Sequence, residues 1–171
     1  MKFLNTSESK AIEKFYGDRC AKRSGVRLIK HIEDGLTILR EIGASVWAER
    51  AFCLHPLFQA DKELMTEGVK YCEKSVNPYP VMLVMEYRQW ANRWLSDKVD
   101  DYGKFTSLPS PGHLEEVKHM LIADKVQNYK DFLAYHVQTH QRSHALSVYF
   151  ETWLAELGID EVRFSELRSK I

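Results

Sequence analysis

The stretch AFCLHPLFQ, residues 51–59, sets one histidine, His55, and one proline, Pro56, in a largely apolar run. Ser45 precedes it at the position of an N-cap, so the pattern predicts a helix over about residues 46–58 that is buried over much of its circumference. Proline inside a helix removes a hydrogen bond and clashes with the preceding turn, so we expect this helix to end or kink at Pro56.

Two polar residues far from this run are predicted to face the same interior. His31 lies 24 residues before His55 beside the apolar stripe of its own predicted helix, and Asp124 lies 69 residues after it in MLIADKVQN. An acid on an otherwise apolar helix face is costly unless it is paired or bound to a metal ion. Imidazole and carboxylate groups suit divalent metals, so His31, His55 and Asp124 are predicted to hold one ion of manganese, zinc or iron. Each histidine alone is more typical of a hydrogen-bonded structural residue.

Apolar residues recur at helical spacing along nearly the whole chain, and runs that alternate with period two are scarce. The sequence therefore predicts an all-α fold, with about six to seven helices in a single domain over residues 1–171. The other predicted helices cover about residues 9–22, 26–42, 62–75, 81–95, 111–136 and 143–157. We expect residues 77–80 to break the chain between two helices, residues 96–112 to form an irregular loop, and a charged tail to follow Gly158.

Composition narrows the class of partners. The 24 basic and 24 acidic residues cancel, so no net field favours nucleic acid or an anionic membrane surface, and nucleic-acid binding is not expected. No apolar run approaches the roughly 18 residues that span a bilayer. Cys20, Cys53 and Cys72 are an odd number without CxxC spacing, which is typical of buried reduced thiols. We therefore expect a soluble, cytoplasmic protein.

The sequence contexts of the three predicted ligands resemble those of the HD-domain superfamily of metal-dependent phosphohydrolases. His31 follows the basic segment AKRSGVRLIK, His55 ends the apolar AFCLH, and Asp124 begins an Asp-x-x-x-Asn pattern that Asn128 completes. These features look nearest to the branch that hydrolyses guanosine tetraphosphate and pentaphosphate. The resemblance covers about residues 10–135 and implies an HD-like helical bundle with one divalent ion bound by the three ligands.

The chain departs from that family's pattern in two places. Pro56 stands where the family has the aspartate of its His-Asp pair, and Gln59-Ala60 stands where the alarmone hydrolases have a Glu-Asp pair that positions the attacking water. The resemblance therefore favours the fold and the three ligands but leaves the catalytic residue unknown. Gln59 and Asp61 are weak catalytic candidates. Other acids near the ligands in sequence are Glu33, Asp34 and Glu63.

Basic and amide side chains are the predicted contacts for a phosphorylated ligand. Arg23 and Arg27 come shortly before the first histidine, and Asn128 matches the family position that helps to hold the sugar. Arg88 and Asn92 share one face of a later helix by i,i+4 spacing, which equally suits a solvated or locally paired surface.

Two further groups have a structural interpretation. Tyr87, Trp90 and Trp94 recur at spacings of three and four, which predicts core packing, with base stacking as the alternative. Cys53 lies close to His55 in sequence but points in another direction on a helix, so a nucleophilic cysteine–histidine pair is not expected.

The sequence thus predicts an HD-like protein with a degenerate metal site that binds a nucleotide or phosphorylated ligand with weak or no hydrolysis. One alternative is an active metal-dependent phosphohydrolase acting on a guanine nucleotide alarmone or a related phosphate ester. The other is a helical module that binds a protein partner or a second copy of itself.

Overall fold

The computed structural model describes residues 5–22, 24–74, 77–96, 114–139 and 141–171, with the backbone alone of residues 93–96. Its helices are α1 Ser7–Tyr16, α2 Ile29–Glu41, α3 Val46–Phe58, α4 Asp61–Glu63, α5 Val69–Cys72, α6 Pro78–Ser96, α7 Glu115–Tyr135, α8 Ser143–Glu156 and α9 Glu161–Arg168. A π-helical turn, Leu64–Gly68, joins α4 to α5. Within the described ranges there is no β-strand, only an antiparallel bridge between Cys20 and Arg27, and the predicted all-α class is confirmed.

α3 is the central helix. It packs against α1, α2, α6 and α7, and most side chains of residues 48–58 are buried. The hydroxyl of Ser45 accepts the backbone N–H of Ala48 at 3.3 Å, as predicted for the N-cap. The predicted bounds of 46–58 are confirmed. Of the two alternatives at Pro56, the helix does not end there, because α3 continues to Phe58 and the Gln59 N–H donates to the His55 carbonyl at 2.9 Å.

α2 approaches α3 closely at a glycine. Gly35 is buried, and a Cβ at this position would lie 2.1 Å from the Cε1 atom of Phe52. Only a residue without a side chain leaves room for the Phe52 ring. The contact therefore brings the helical turn before Gly35, which carries His31, beside the turn after Phe52, which carries His55.

Buried ion pairs tie the outer helices to this centre. Lys130 of α7 donates to the carboxylate of Asp34 on α2 at 2.8 Å. Arg50 of α3 donates through two N–H groups, at 2.9 and 3.1 Å, to Glu8 of α1, which also accepts the Tyr71 hydroxyl at 3.1 Å. Asp34 and Glu8 are buried, and these donors compensate for the hydration that the carboxylates lose. Burial acts to raise the pKa of Glu8, but the Arg50 hydrogen bonds and charge leave that pKa below its ordinary value.

Two helix boundaries differ from the predicted ones, one at a glycine and one at a proline. The helix predicted over 9–22 ends at Tyr16, because Gly17 has a φ of 53°. Of the predicted break at 77–80, only residue 77 lies outside α6, which begins at Pro78. A proline in the first turn loses no intrahelical bond, and the side chain of Asn77 accepts the Tyr79 N–H at 2.9 Å.

The end of the chain was predicted wrongly, because α9 forms where a tail was expected. Asp160 caps it by accepting the Arg163 N–H at 2.7 Å, and Phe164 and Leu167 are buried against the core. The predicted loop over 96–112, apart from Ser96, and the predicted helix start at Pro111 lie outside the described residues.

The cysteines are free, but Cys53 alone of the three is buried. Its sulfur lies 3.9 Å from the Ser9 hydroxyl, so it faces α1 rather than His55, as predicted. Cys20 and Cys72 are exposed, contrary to the expectation of buried thiols. No helix in the described part of the chain is long and apolar enough to cross a membrane.

Candidate metal centre

The three predicted ligands meet at one point between α2, α3 and α7. The Nε2 atoms of His31 and His55 are 2.9 Å apart, and Oδ1 of Asp124 is 3.7 Å from Nε2 of His31. All three potential ligand atoms lie within 4.8 Å of one another. His55 and Asp124 are buried, while the His31 side chain keeps 19% of its surface exposed. The predicted convergence is confirmed, and this group can hold a metal ion.

The orientation of His55 is fixed by its own helix. Its Nδ1 lies 2.6 Å from the carbonyl oxygen of Phe52, which can only accept, so the hydrogen of the neutral ring sits on Nδ1. The ring lies against those of Phe52 and Tyr87, at centroid distances of 4.5 and 5.3 Å. Burial, and then the positive charge that His31 can carry, lower the pKa of His55 to about 3. His55 is therefore neutral, with its free lone pair on Nε2.

The orientation of His31 is fixed by a chain of side chains on α7. The amide nitrogen of Gln127 donates to the Asp131 carboxylate at 2.6 Å, and a carboxylate can only accept. The amide oxygen of Gln127 must then face His31, whose Nδ1 donates to it at 2.5 Å. His31 is thereby oriented like His55, with Nδ1 hydrogen-bonded and Nε2 directed into the site. Gln127 is 1% exposed and has no counterpart among the sequence predictions.

Two neutral rings held this way present facing lone pairs at 2.9 Å, which repel unless a cation lies between or beside them. A proton on one ring, or a metal ion bound by both, relieves that repulsion. Two imidazole nitrogens bound at about 2.1 Å would be about 3.4 Å apart on a tetrahedral ion and about 3.0 Å apart at the right angle of an octahedral one, so the observed spacing is nearer to the octahedral value. Metal-binding histidines ordinarily donate their second ring N–H to an oxygen acceptor, as both rings do here. The residues present therefore fit a divalent ion.

Asp124 supplies the negative charge among the three predicted ligands. Its Oδ1 accepts the side-chain N–H of Asn128 at 2.7 Å, and its Oδ2 accepts the Lys125 ammonium at 2.8 Å. Burial acts to raise the pKa of Asp124, but Lys125 and the two histidines outweigh it and hold that pKa at about 2. The carboxylate is therefore ionised at neutral pH, the form that binds a metal.

Lys125 is a buried cation beside the site that the sequence predictions did not include. Its side chain is 5% exposed, and its ammonium lies 5.2 Å from the Trp153 ring centre and 5.6 Å from that of Tyr149. Desolvation acts to lower its pKa, but Asp124 outweighs this and the pKa is raised, so Lys125 stays charged. The lysine offsets the charge of Asp124, and the ring faces favour a cation there.

Tyr87 contributes a buried hydroxyl to the same region. Its side chain is fully buried, as the predicted core assignment requires, and its hydroxyl makes no hydrogen bond of ordinary geometry among the described residues, although Asp124 lies close enough to raise its pKa. Burial, and then the charge of Asp124, raise the pKa of Tyr87 well above its ordinary value. A buried hydroxyl without a partner is unfavourable, so Tyr87 has the capacity to bond a group that enters the site.

A cavity of about 480 Å³ opens onto the three ligands. Arg27, Gln59 and Asn128, all predicted from sequence, line it together with Tyr149 and Phe150. Arg27 is exposed and paired at 3.0 Å with the fully exposed carboxylate of Asp18. Arg23 lies outside the described residues.

Arg88 and Asn92 are locally paired, which is the alternative that their i,i+4 spacing left open. Arg88 donates to the Gln59 carbonyl at 3.2 Å and to the Asp61 carboxylate, and Asn92 donates to the same carbonyl at 2.6 Å. They bind the backbone where α3 ends, and neither lines the cavity of the three ligands. Asp61, one of the two weak catalytic candidates, is thereby paired with Arg88.

The other acids near the ligands in sequence do not line the cavity either. Asp34 is buried in its ion pairs with Lys30 and Lys130. Glu33 and Glu63 are half-buried, and neither contributes to the wall around the three ligands.

Comparison with known proteins gives no independent assignment. No family model, curated protein or solved structure matches this chain. The resemblance to the HD-domain superfamily therefore stays a prediction, and the His31–His55–Asp124 geometry is the observation from which function is argued.

Proposed function

We propose that this chain binds one divalent metal ion through His31, His55 and Asp124 and uses the site to hold a phosphorylated ligand or nucleotide, with weak or no hydrolysis. One observation carries the proposal: two Nε2 atoms 2.9 Å apart, both left without hydrogens by the bonds of their Nδ1 atoms, beside an ionised carboxylate. Manganese, zinc and iron all accept this set of two imidazoles and one carboxylate.

The cavity supports a ligand with an anionic group and a flat apolar part. Arg27 reaches it from the rim, and its partner Asp18 is fully exposed, so a phosphate can replace that weak surface pair. Tyr149 and Phe150 supply aromatic surface on the wall. Asn128 donates one amide hydrogen to Asp124, so its amide oxygen and its second N–H can serve a ligand hydroxyl.

Weak hydrolysis follows from the carboxylates available. A divalent ion in such a site polarises a phosphoryl oxygen and lowers the pKa of bound water. Among the described residues, the carboxylates that line the cavity are Asp124 and Asp131. Asp124 is bonded to Lys125 and Asn128, and Asp131 to Gln127 and Lys130. Because both carboxylates already have these partners, neither is available as a general base. This favours ligand binding over turnover.

Metal analysis tests the first half of the proposal. The full chain, dialysed against manganese, zinc or ferrous iron, should retain about one equivalent of metal, and His55→Ala should lose it. His144→Ala is the matched control, because His144 is an exposed histidine on α8. Less than a tenth of an equivalent in the wild-type protein with all three metals would reject the metal site.

Ligand screening tests the second half. In the metal-loaded protein, guanosine tetraphosphate, GTP, GDP and inorganic phosphate are each assayed for thermal stabilisation and for phosphate release. Stabilisation without release supports the binding protein. Sustained release that His55→Ala abolishes and His144→Ala does not would instead assign an active phosphohydrolase. Neither stabilisation nor release by any of these compounds would reject the phosphorylated ligand while leaving the metal site standing.

A further inference from the structure

Pro56 lies inside α3, one residue after a predicted metal ligand. Because proline has no N–H, it cannot donate to the carbonyl four residues earlier, which belongs to Phe52. The helix nevertheless continues to Phe58, and the N–H of Gln59, three residues after the proline, donates to the His55 carbonyl at 2.9 Å. The Phe52 carbonyl is therefore left without its ordinary helical donor.

The His55 side chain takes that vacant position. Its Nδ1 lies 2.6 Å from the Phe52 oxygen, in a place where both groups are shielded from water. A buried carbonyl without a donor is unfavourable, and so is a buried ring N–H without an acceptor. One hydrogen bond satisfies both groups, and it places the ring hydrogen on Nδ1 rather than Nε2.

We propose that Pro56 is a positioning residue for His55, because it leaves the Phe52 carbonyl to the ring and so directs a bare Nε2 at His31 and Asp124. This inference rests on the proposed metal site. Any other residue at position 56 restores a backbone N–H that competes for the same carbonyl. The ring then gains freedom to carry its hydrogen on Nε2, where it blocks the ion. Pro56 stands where the HD pattern has an aspartate ligand. It would influence the site through the N–H that its backbone lacks and not through a side-chain ligand.

The test compares the wild-type chain with Pro56→Ala, using three measurements. Two-bond ¹H–¹⁵N spectra of the metal-free protein report which nitrogen of His55 carries the hydrogen, with the signals assigned from their loss in His55→Ala. Metal titration reports affinity for manganese and zinc. Thermal melting reports stability, which Pro56→Ala should raise, since alanine restores the helical bond.

The wild-type ring should be the Nδ1–H form, and Pro56→Ala should contain a substantial Nε2–H population. The variant should bind metal at least about ten-fold more weakly, the size of effect expected when the support of a ligand is lost, although it melts at a higher temperature. Pro78→Ala is the matched control, because Pro78 is the first residue of α6, where a missing N–H breaks no helical bond. It should leave the His55 signals and the metal affinity unchanged.

The outcomes separate this inference from the proposed function. If the wild-type protein binds metal and Pro56→Ala keeps both the Nδ1–H form and the affinity to within about two-fold, the positioning role is wrong and the metal site stands. If the wild-type protein binds no metal while Pro56→Ala still changes the tautomer, the metal site is wrong and the effect on the ring stands. An Nε2–H ring in the wild-type protein would overturn the inference without any variant.

Discussion

Gly35 of α2 lies directly against the ring of Phe52 of α3, with no room for a Cβ between them. This contact determines how closely the two helices that carry His31 and His55 approach each other. The 2.9 Å separation of the two Nε2 atoms therefore depends on a glycine one helical turn away.

Gly35→Ala is expected to destabilise the protein by about 1–3 kcal/mol, because the new methyl group overpacks a filled contact. It should also weaken metal binding, since α2 must move away from α3. Urea denaturation and metal titration measure the two effects. Phe52→Leu in the same chain provides the compensating change, and the double variant should recover part of both losses. Unchanged stability in Gly35→Ala would show that the contact is not tight.

Gln127→Leu should reduce metal affinity about ten-fold by leaving the Nδ1–H of His31 without its acceptor. Isothermal titration with manganese and zinc measures the change. Asp131→Asn is a second variant to compare. It replaces the carboxylate, which can only accept, and so removes the constraint on the orientation of the Gln127 amide. It should weaken binding less than Gln127→Leu. A larger effect of Asp131→Asn would indicate that Asp131 acts on the ion directly.

Tyr87→Phe should stabilise the metal-free protein by about 1 kcal/mol, because it removes a buried hydroxyl that makes no hydrogen bond of ordinary geometry and lies near the ionised Asp124. Tyr71→Phe is the matched control with the opposite sign. The Tyr71 hydroxyl donates to Glu8 at 3.1 Å, so its loss should cost about 1 kcal/mol. Urea denaturation of both variants measures the difference. Equal losses would mean that the Tyr87 hydroxyl is hydrogen-bonded in solution.

Acid should weaken the link between α1 and α3. The pKa of Glu8 lies below its ordinary value of 4.5, so the ionised carboxylate stabilises the folded state above that pH. This contribution is lost as the pH falls below 4.5 through the pKa of the folded state. Subtracting the stability of Glu8→Gln from that of the wild type isolates it, and the difference should shrink on acidification. A difference that is independent of pH would contradict the ionised pair.

Much of this architecture is readable from the sequence because helical periodicity and inward placement are local properties. The stripe beside His31, the apolar run around His55 and the apolar face of Asp124 each identify an inward position, and three inward ligands on three helices converge. The α6 boundary was missed because Pro78 reads as a breaker unless its place in the first turn is known.

The supporting residues could not be predicted in the same way. A buried lysine is ordinarily improbable, and Lys125 is accommodated by two aromatic rings of α8, whose position depends on tertiary packing. Arg88 and Asn92 are residue types that often bind ligands. Here both side chains donate to the Gln59 carbonyl, because α6 lies against the end of α3. The role inferred for Pro56 requires the His55 rotamer, which no sequence pattern specifies.

The unequal exposure of the two histidines has a kinetic consequence. The His31 side chain keeps 19% of its surface and that of Asp124 only 4%, while His55 as a whole residue is 2% exposed. An ion that arrives from solvent is therefore expected to contact His31 first and then to move inward to His55 and Asp124. Release follows the same route in reverse. The cavity that opens onto the ligands is about 480 Å³, so we expect a chelator that fits within it to remove the metal faster than one that is too large to enter.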